Sequence, residues 1–146
     1  MNATLQTPLC GLLGCDYPVV LAGMGGVARS ALVAAVSEAG GFGFLGMVRE
    51  PTALIRAEVG RLRERGISRF GVNLIPFGTQ PDLLAAQVAT CIELAVPVVC
   101  LFWELAAPVA RRLRDAGIVV VCQVGTAAEA AEAERAGAQA VIAQGV

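Results

Sequence analysis

One pattern recurs along the whole 146-residue chain. A short apolar run rich in β-branched residues is followed by a glycine-containing or polar turn and then by an alanine-rich segment. Six such runs predict strands at residues 19–22, 42–45, 70–74, 98–102, 118–123 and 140–143. They begin about 20 to 28 residues apart, which is the spacing of successive βα units and leaves no room for a linker. The sequence therefore predicts one continuous α/β domain over residues 1–146.

The segments between the runs have the signals of helices. Residues 83–95 place apolar side chains on one stripe at the i, i+4, i+7, i+8, i+11 spacing of an amphipathic helix: Leu84, Val88, Cys91, Ile92 and Ala95. Thr126 and Glu129 form a capping-box pattern, in which each side chain can satisfy a backbone N–H of the first turn. Gly117 and Gly137 stand where a left-handed residue ends a helix.

Right-handed crossovers place every helix outside the sheet, and six units at this spacing need two more to close an eight-stranded barrel. We therefore expect a parallel (β/α)8 TIM barrel, truncated after about six strands, since a complete one takes about 250 residues. An open sheet leaves two strand edges bare, which favours self-association. Barrel active sites lie at the carboxyl ends of the strands, so Gly145 and Val146 are expected to begin a loop that lines the site.

Composition excludes several classes of function. Eleven arginines and no lysine balance twelve acids, for a net charge of −1, which argues against nucleic acid or anionic membrane as a partner. Apolar residues make up 56% of the chain, yet no run approaches the roughly 18 residues of a membrane span. The first residues lack the pattern of a secretory signal, so a cytoplasmic protein is expected. The five cysteines have no CxxC spacing and the chain has no histidine, so we expect packing roles and no metal site.

Glycines surround the first two predicted strands. Gly23-Met24-Gly25-Gly26-Val27-Ala28 follows the first strand with the spacing of a dinucleotide fingerprint, although Glu50 comes too late to hold a ribose. The same glycines suit backbone that approaches the face of a flavin ring, or a tight turn. Four glycines in residues 40–46 indicate close approach of a helix and a ligand, or only small-residue packing in a narrow barrel.

Three uncharged amides end otherwise apolar strands. Asn73 ends the third strand, Gln123 the fifth and Gln144 the sixth. Such a ring suits a neutral heterocycle whose edge alternates hydrogen-bond donors and acceptors, such as an isoalloxazine. Bonds to neighbouring loop backbone are the alternative for each amide. After the fourth strand, Phe102, Trp103 and Glu104 offer an apolar wall and a carboxylate to the same place, or pack without a functional role.

Four stretches together resemble the nitronate monooxygenases, formerly called 2-nitropropane dioxygenases, and the related flavin-dependent enoyl-acyl-carrier-protein reductases. They are residues 18–27 (PVVLAGMGGV), 39–46 (AGGFGFLG), 70–74 (FGVNL), and 121–126 (VCQVGT) continuing to 140–146 (AVIAQGV). The resemblance implies an FMN-dependent oxidoreductase that denitrifies an alkyl nitronate with O2. It also implies that Gly23 and Met24 approach the flavin ring, that Asn73 and Gln144 hydrogen-bond it, and that Gln123 is a further contact.

The resemblance also implies parts that lie beyond this sequence. In the family, Ala-Gln-Gly-Val is followed by a glycine-rich segment ending in the histidine that serves as base, so no catalytic residue is expected within residues 1–146. The loops that bind the FMN phosphate follow the last two strands. The fourth strand departs from the family pattern, because Cys100-Leu-Phe-Trp-Glu104 stands where many relatives have serine and histidine. We therefore expect this chain alone to be inactive; an enoyl reductase and a non-catalytic or NAD-binding module are the alternatives.

Overall fold

Six parallel strands follow one another across a single sheet in their chain order, each hydrogen-bonded to the next. The computed structural model describes residues 5–102 and 106–144. Its strands are β1 (Val20–Leu21), β2 (Phe42–Gly46), β3 (Phe70–Leu74), β4 (Val98–Leu101), β5 (Val119–Val124) and β6 (Ala140–Ala143). Strictly sequential order is that of a TIM barrel, whereas a Rossmann sheet reverses its strand order at a switch point. The six predicted strands are all present.

Within the described ranges, five helices lie between consecutive strands and one precedes them: α1 (Pro8–Leu13), α2 (Ser30–Glu38), α3 (Thr52–Glu64), α4 (Pro81–Glu93), α5 (Ala107–Asp115) and α6 (Ala127–Arg135). Helix α1 was not predicted from the sequence, because six residues are too few to show a helical period. Its termini did carry signals, namely Pro8 in the first turn and Gly14 in the left-handed region at its end, with φ 70°. None of the helices in the described ranges is long and apolar enough to cross a membrane.

The two faces of the sheet carry separate apolar layers. On the outer face, Leu45, Val72 and Val120 pack with the helices in the larger core cluster. On the inner face, Phe42, Phe44 and Val121 pack with Cys10 and Leu13 of α1. Burial on both faces explains why the strands are continuously apolar, as parallel sheets require. Helix α1 thus covers the amino-terminal end of the strands and leaves the carboxyl ends for a site.

The helix ends mostly follow the predictions. Gly117 and Gly137 are left-handed, with φ of 81° and 98°, which confirms their role as helix ends. The Thr126 hydroxyl accepts a bond from the Glu129 backbone N–H at 3.2 Å, as a capping box requires. The Glu129 carboxylate, however, accepts from the N–H of Gly125 at 2.7 Å rather than from that of Thr126. The reciprocal bond is therefore displaced one residue before the cap.

The two outermost strands each have one neighbour within the part of the chain that the structure describes. β1 pairs with β2 and β6 pairs with β5. Val20, Val141 and Ile142 on these strands are 37%, 44% and 37% exposed. The edges of β1 and β6 that have no neighbour in the described ranges give the expected self-association a physical basis, and it stays a prediction.

Candidate functional site

A cavity of about 840 Å³ lies along the inner face of the sheet and reaches the carboxyl ends of its strands. This volume is within the range of about 300 to 1,000 Å³ typical of small-molecule sites. Its walls are mainly apolar and include Val20, Phe44, Cys100, Phe102, Val121 and Ile142. Of the two alternatives for residues 102–104, the position of Phe102 fits an apolar wall, while Trp103, Glu104, Gly145 and Val146 lie outside the described residues.

Four of the five predicted site residues line this one cavity: Gly23, Asn73, Gln123 and Gln144. They come from four separate βα units, and the parallel sheet brings them together because its strands all end at the same edge. Met24 lies in the same loop as Gly23 but outside the cavity lining, with 42% of its surface exposed. The amides are the polar side chains of the lining, and no charged residue is among its described members.

Asn73 joins the end of β3 to the loop after β1. Its Nδ2 donates to the Gly23 carbonyl oxygen at 3.4 Å, and the residue is only 7% exposed. A Cβ added at Gly23 would lie 2.3 Å from the Cβ of Asn73. Glycine is therefore required at this position by the approach of Asn73, a reason that the sequence patterns did not reveal.

Gln123 and Gln144 contact each other across the ends of β5 and β6. The Gln123 Nε2 donates to the Gln144 Oε1. Among the described residues, this bond leaves the Gln123 carbonyl as an acceptor and the Gln144 Nε2 as a donor at the cavity wall. The pair therefore presents one donor and one acceptor side by side, the arrangement that a heterocycle edge can match.

Arg29 holds the glycine-rich loop against the end of β2. It is the N-cap residue of α2, and its Nη1 donates to the Gly46 carbonyl oxygen at 3.0 Å. Its Nη2 pairs with the Glu50 carboxylate. Glu50, the acid weighed for a dinucleotide ribose, is therefore bound to an arginine. With the sequential strand order, this pairing argues against the dinucleotide interpretation of the glycine motif.

A buried carboxylate stabilises the start of α2, the helix that follows the same loop. Glu58 of α3 is 4% exposed, and its Oε2 accepts from the Ser30 backbone N–H at 2.7 Å, in the first turn of α2. Burial by itself raises the pKa of Glu58, but the bonds from Ser30 and the charges of Arg61 and Arg29 outweigh it and leave the pKa below its usual value. This contact is not visible in the sequence, because its partners are 28 residues apart.

The Glu58 contact predicts a pH-dependent contribution to stability. A carboxyl whose folded pKa is depressed stabilises the protein above its unfolded pKa, about 4.3, and this contribution is lost as the pH falls through the folded pKa. Glu58→Gln should therefore lower the free energy of unfolding by about 1 to 2 kcal/mol at pH 7, with a smaller difference from wild type at pH 3. Urea unfolding at both values measures this. Glu64→Gln, on the exposed face of the same helix, is the control, and equal effects of the two changes would contradict the assignment.

Gln87 anchors the loop that follows β2. Although an amide, it is fully buried on α4, beside Val88 and Cys91 of the predicted apolar stripe. Its Nε2 donates to the carbonyl oxygens of Met47 at 3.0 Å and Glu50 at 2.7 Å. The loop it fixes contributes Val48 to the cavity. This role was not predictable from a sequence pattern, because it depends on backbone 37 or more residues away.

The cysteines have the packing roles expected of them. All five are buried and free. Burial raises the pKa of Cys91 to about 12, and burial together with nearby Cys122 raises the pKa of Cys100 to about 12. Cys100 therefore lines the cavity as a neutral thiol. It is not suited to act as a nucleophile, because nucleophilic cysteines need a depressed pKa.

The fold and site define a parallel α/β barrel protein with an amide-lined cavity at the carboxyl ends of its strands. A family model described as nitronate monooxygenase matches residues 6–89. The chain therefore belongs to the nitronate monooxygenase family. This match confirms the family predicted from the four sequence stretches.

Individual relatives agree with this assignment but differ in what they do. A dehydrogenase of an octahydroindene carboxyl-CoA from Mycobacterium tuberculosis is 34% identical over 97% of this chain and 39% of its own length. A probable nitronate monooxygenase of Staphylococcus aureus is 26% identical over 94% of this chain and 48% of its own. The chain thus spans less than half the length of these curated relatives.

Solved structures confirm the barrel fold. FabK from Thermotoga maritima superposes with a TM-score of 0.88 at 35% identity, covering 96% of this chain and 44% of that one. Nitroalkane oxidase from Streptomyces ansochromogenes gives a TM-score of 0.80 at 33% identity, covering 96% and 49%. The six strands and the helices between them correspond to about half of each of these structures.

Proposed function

We propose that the cavity binds the isoalloxazine ring of FMN, and that this chain supplies the ring-binding half of an FMN-dependent oxidoreductase of nitronate monooxygenase type. One observation carries the proposal. Gly23, Asn73, Gln123 and Gln144, which come from four different βα units, line a single cavity of about 840 Å³.

The chemistry of the lining fits a flavin ring. The ring is flat and uncharged, so apolar walls such as Phe44 and Val121 can cover its faces. Its edge alternates donors and acceptors, which the amides of Asn73, Gln123 and Gln144 can match. When bound, the flavin supplies the redox chemistry by accepting electrons from a substrate and passing them to O2. The chain's own residues bind and orient the ring and keep water from its faces.

The proposed substrates are an alkyl nitronate and O2, and the proposal places the protein in the cytoplasm. The base that the family uses is a histidine, and residues 1–146 contain none. Cys100 does not replace it, because its raised pKa keeps the thiol protonated. We therefore expect this chain by itself to bind the ring without turning over nitronate.

The composition of the lining leads to a prediction about flavin binding. The described lining contains no arginine to hold a phosphate. Riboflavin and FMN should therefore bind with affinities within about threefold of each other, a smaller difference than one charge-assisted contact to the phosphate would produce. Binding should also be too weak for the flavin to survive purification. Quenching of flavin fluorescence in parallel titrations measures both affinities. A yellow purified protein, or a large preference for FMN, would contradict this part of the proposal, as would nitronate-dependent O2 uptake by the chain alone.

An enoyl reductase is the second candidate. The sequence resemblance favours it, since the four stretches resemble the flavin-dependent enoyl-acyl-carrier-protein reductases as well as the nitronate monooxygenases. The two activities differ in their electron donor, because a reductase needs a nicotinamide and a nitronate monooxygenase does not. Stopped-flow mixing of NADPH with a version extended by the remaining βα units distinguishes them. Rapid flavin bleaching supports the reductase, and bleaching by a nitronate alone supports the monooxygenase.

A further inference from the structure

A second cavity, of about 690 Å³, adjoins the first at the carboxyl ends of the strands. It lies between the loop after β2 and the loop after β3, and Val48 and Ile75 line both cavities. The two cavities therefore share part of their walls, and a ligand that reacts in the first has room to extend toward the second. The remaining lining consists of Arg49 and residues 76–81.

Arg49 is the charged residue of this second lining. Its Nε donates to the Gly78 carbonyl oxygen across the cavity mouth, which fixes the guanidinium against the opposite loop. Six other arginines form ion pairs with acids, whereas Arg49 has no acidic partner among the residues that the structure describes. A fixed guanidinium with unused N–H donors is suited to a carboxylate or a phosphate.

The backbone at Arg49 is also unusual. Its φ of 55° lies in the left-handed region, which is unfavourable for a residue with a long side chain. Buried Gln87 holds this conformation by binding the carbonyls on either side, those of Met47 and Glu50. The fold thus maintains an arginine in a strained position beside the proposed flavin site, where such strain is often functional.

From these observations we infer that the second cavity binds the anionic end of the substrate, with Arg49 as the specificity-determining residue. The ligand would carry a phosphate or carboxylate on an apolar stem, because Val48, Ile75 and Phe77 provide apolar surface and Arg49 the charge. The inference rests on the proposed function, since the stem must lead to a reacting group in the first cavity. If the inference is right, Arg49 binds an anionic group of the substrate and not the phosphate of FMN.

Binding of hexyl phosphate to the purified chain tests the inference without any flavin. We expect saturable binding by calorimetry, and amide NMR shifts confined to residues 48–50 and 75–80. Arg49→Gln should weaken binding by about tenfold or more, as expected for loss of a charge-assisted contact. Arg111→Gln, on the exposed side of α5, is the matched control and should bind as wild type does. Hexanol, which lacks the charge, should bind much more weakly than hexyl phosphate.

The outcomes separate this inference from the flavin proposal. No binding of hexyl phosphate, equal binding by the Arg49→Gln variant, or inorganic phosphate binding as tightly as hexyl phosphate would each overturn it. Parallel titrations with FMN and riboflavin give a further check. If Arg49→Gln weakens FMN but not riboflavin, Arg49 serves the cofactor and the substrate assignment is wrong. If neither flavin binds while hexyl phosphate does, the proposed function fails and the anion site remains.

Discussion

Replacing Gly46 with alanine is expected to destabilise the protein by about 3 kcal/mol or more, because the added Cβ has no room. It would lie 2.2 Å from the Met24 carbonyl oxygen and 2.9 Å from the Gly25 nitrogen. Both are backbone atoms, so no rotamer change can relieve the clash. The glycine-rich loop would have to move away from β2. That movement would break the bond from Arg29 to the Gly46 carbonyl and the bond from the Gly46 N–H to the Ala28 carbonyl.

Gly60→Ala is the matched control for this change. Gly60 lies inside α3, and a Cβ added there meets nothing within 4 Å. Alanine has the higher helix propensity, so this variant should be more stable than wild type by about 0.5 to 1 kcal/mol. Urea unfolding of the three proteins measures the difference. Similar stabilities for Gly46→Ala and wild type would contradict the close packing of the loop on β2.

Asn73→Ala should weaken riboflavin binding by about ten- to one-hundredfold, the loss expected when a buried hydrogen-bonding group is removed from a site. Two effects combine in this expectation. The ring loses one polar contact, and the loop at Gly23 loses the bond that fixes it to β3. Asn73→Asp should bind more weakly still, since a carboxylate with 7% exposure would face the Gly23 carbonyl oxygen where the amide had donated.

Fluorescence titration with riboflavin gives the affinities, and thermal unfolding shows whether each variant is folded. Gln6→Ala, which removes an exposed amide far from the strand ends in sequence, should leave both properties unchanged. If Asn73→Ala lowers the melting temperature but binds riboflavin as tightly as wild type, Asn73 only supports the loop. In that case the amide would not be part of the binding site.

The strands and the converging amides were predictable because their causes are local. Strands buried on both faces must be apolar along their whole length, so β3 and β6 appear in the sequence with their observed bounds. An amide that ends such a run, as Asn73 does, is not needed to continue the apolar core, so it stands out as a contact to a ligand or to loop backbone. Parallel topology then brings strand ends together at one edge, which explains why Asn73, Gln123 and Gln144 line one cavity.

The supporting contacts were not predictable because their causes are distant in sequence. Glu58, Gln87 and Arg29 each bind backbone that lies 17 to 40 residues away. Their roles depend on how α2, α3 and α4 pack beside one another, which periodicity does not reveal. Gly23 is a further example. The spacing of the glycine motif indicated a ligand contact, but it did not reveal the close approach of Asn73 that also requires glycine there.

The most direct test of the flavin proposal is to observe the side-chain amides while riboflavin is added to the isotopically labelled protein. We predict that the NH2 signals of Asn73, Gln123 and Gln144 shift together and saturate at one concentration. The NH2 signals of Gln87 and Gln139 should not shift. Gln87 is bonded to the backbone of the loop after β2, and Gln139 lines neither cavity. Unchanged signals for the first three amides, or shifts confined to residues around Arg49, would contradict the proposal that this cavity binds the flavin ring.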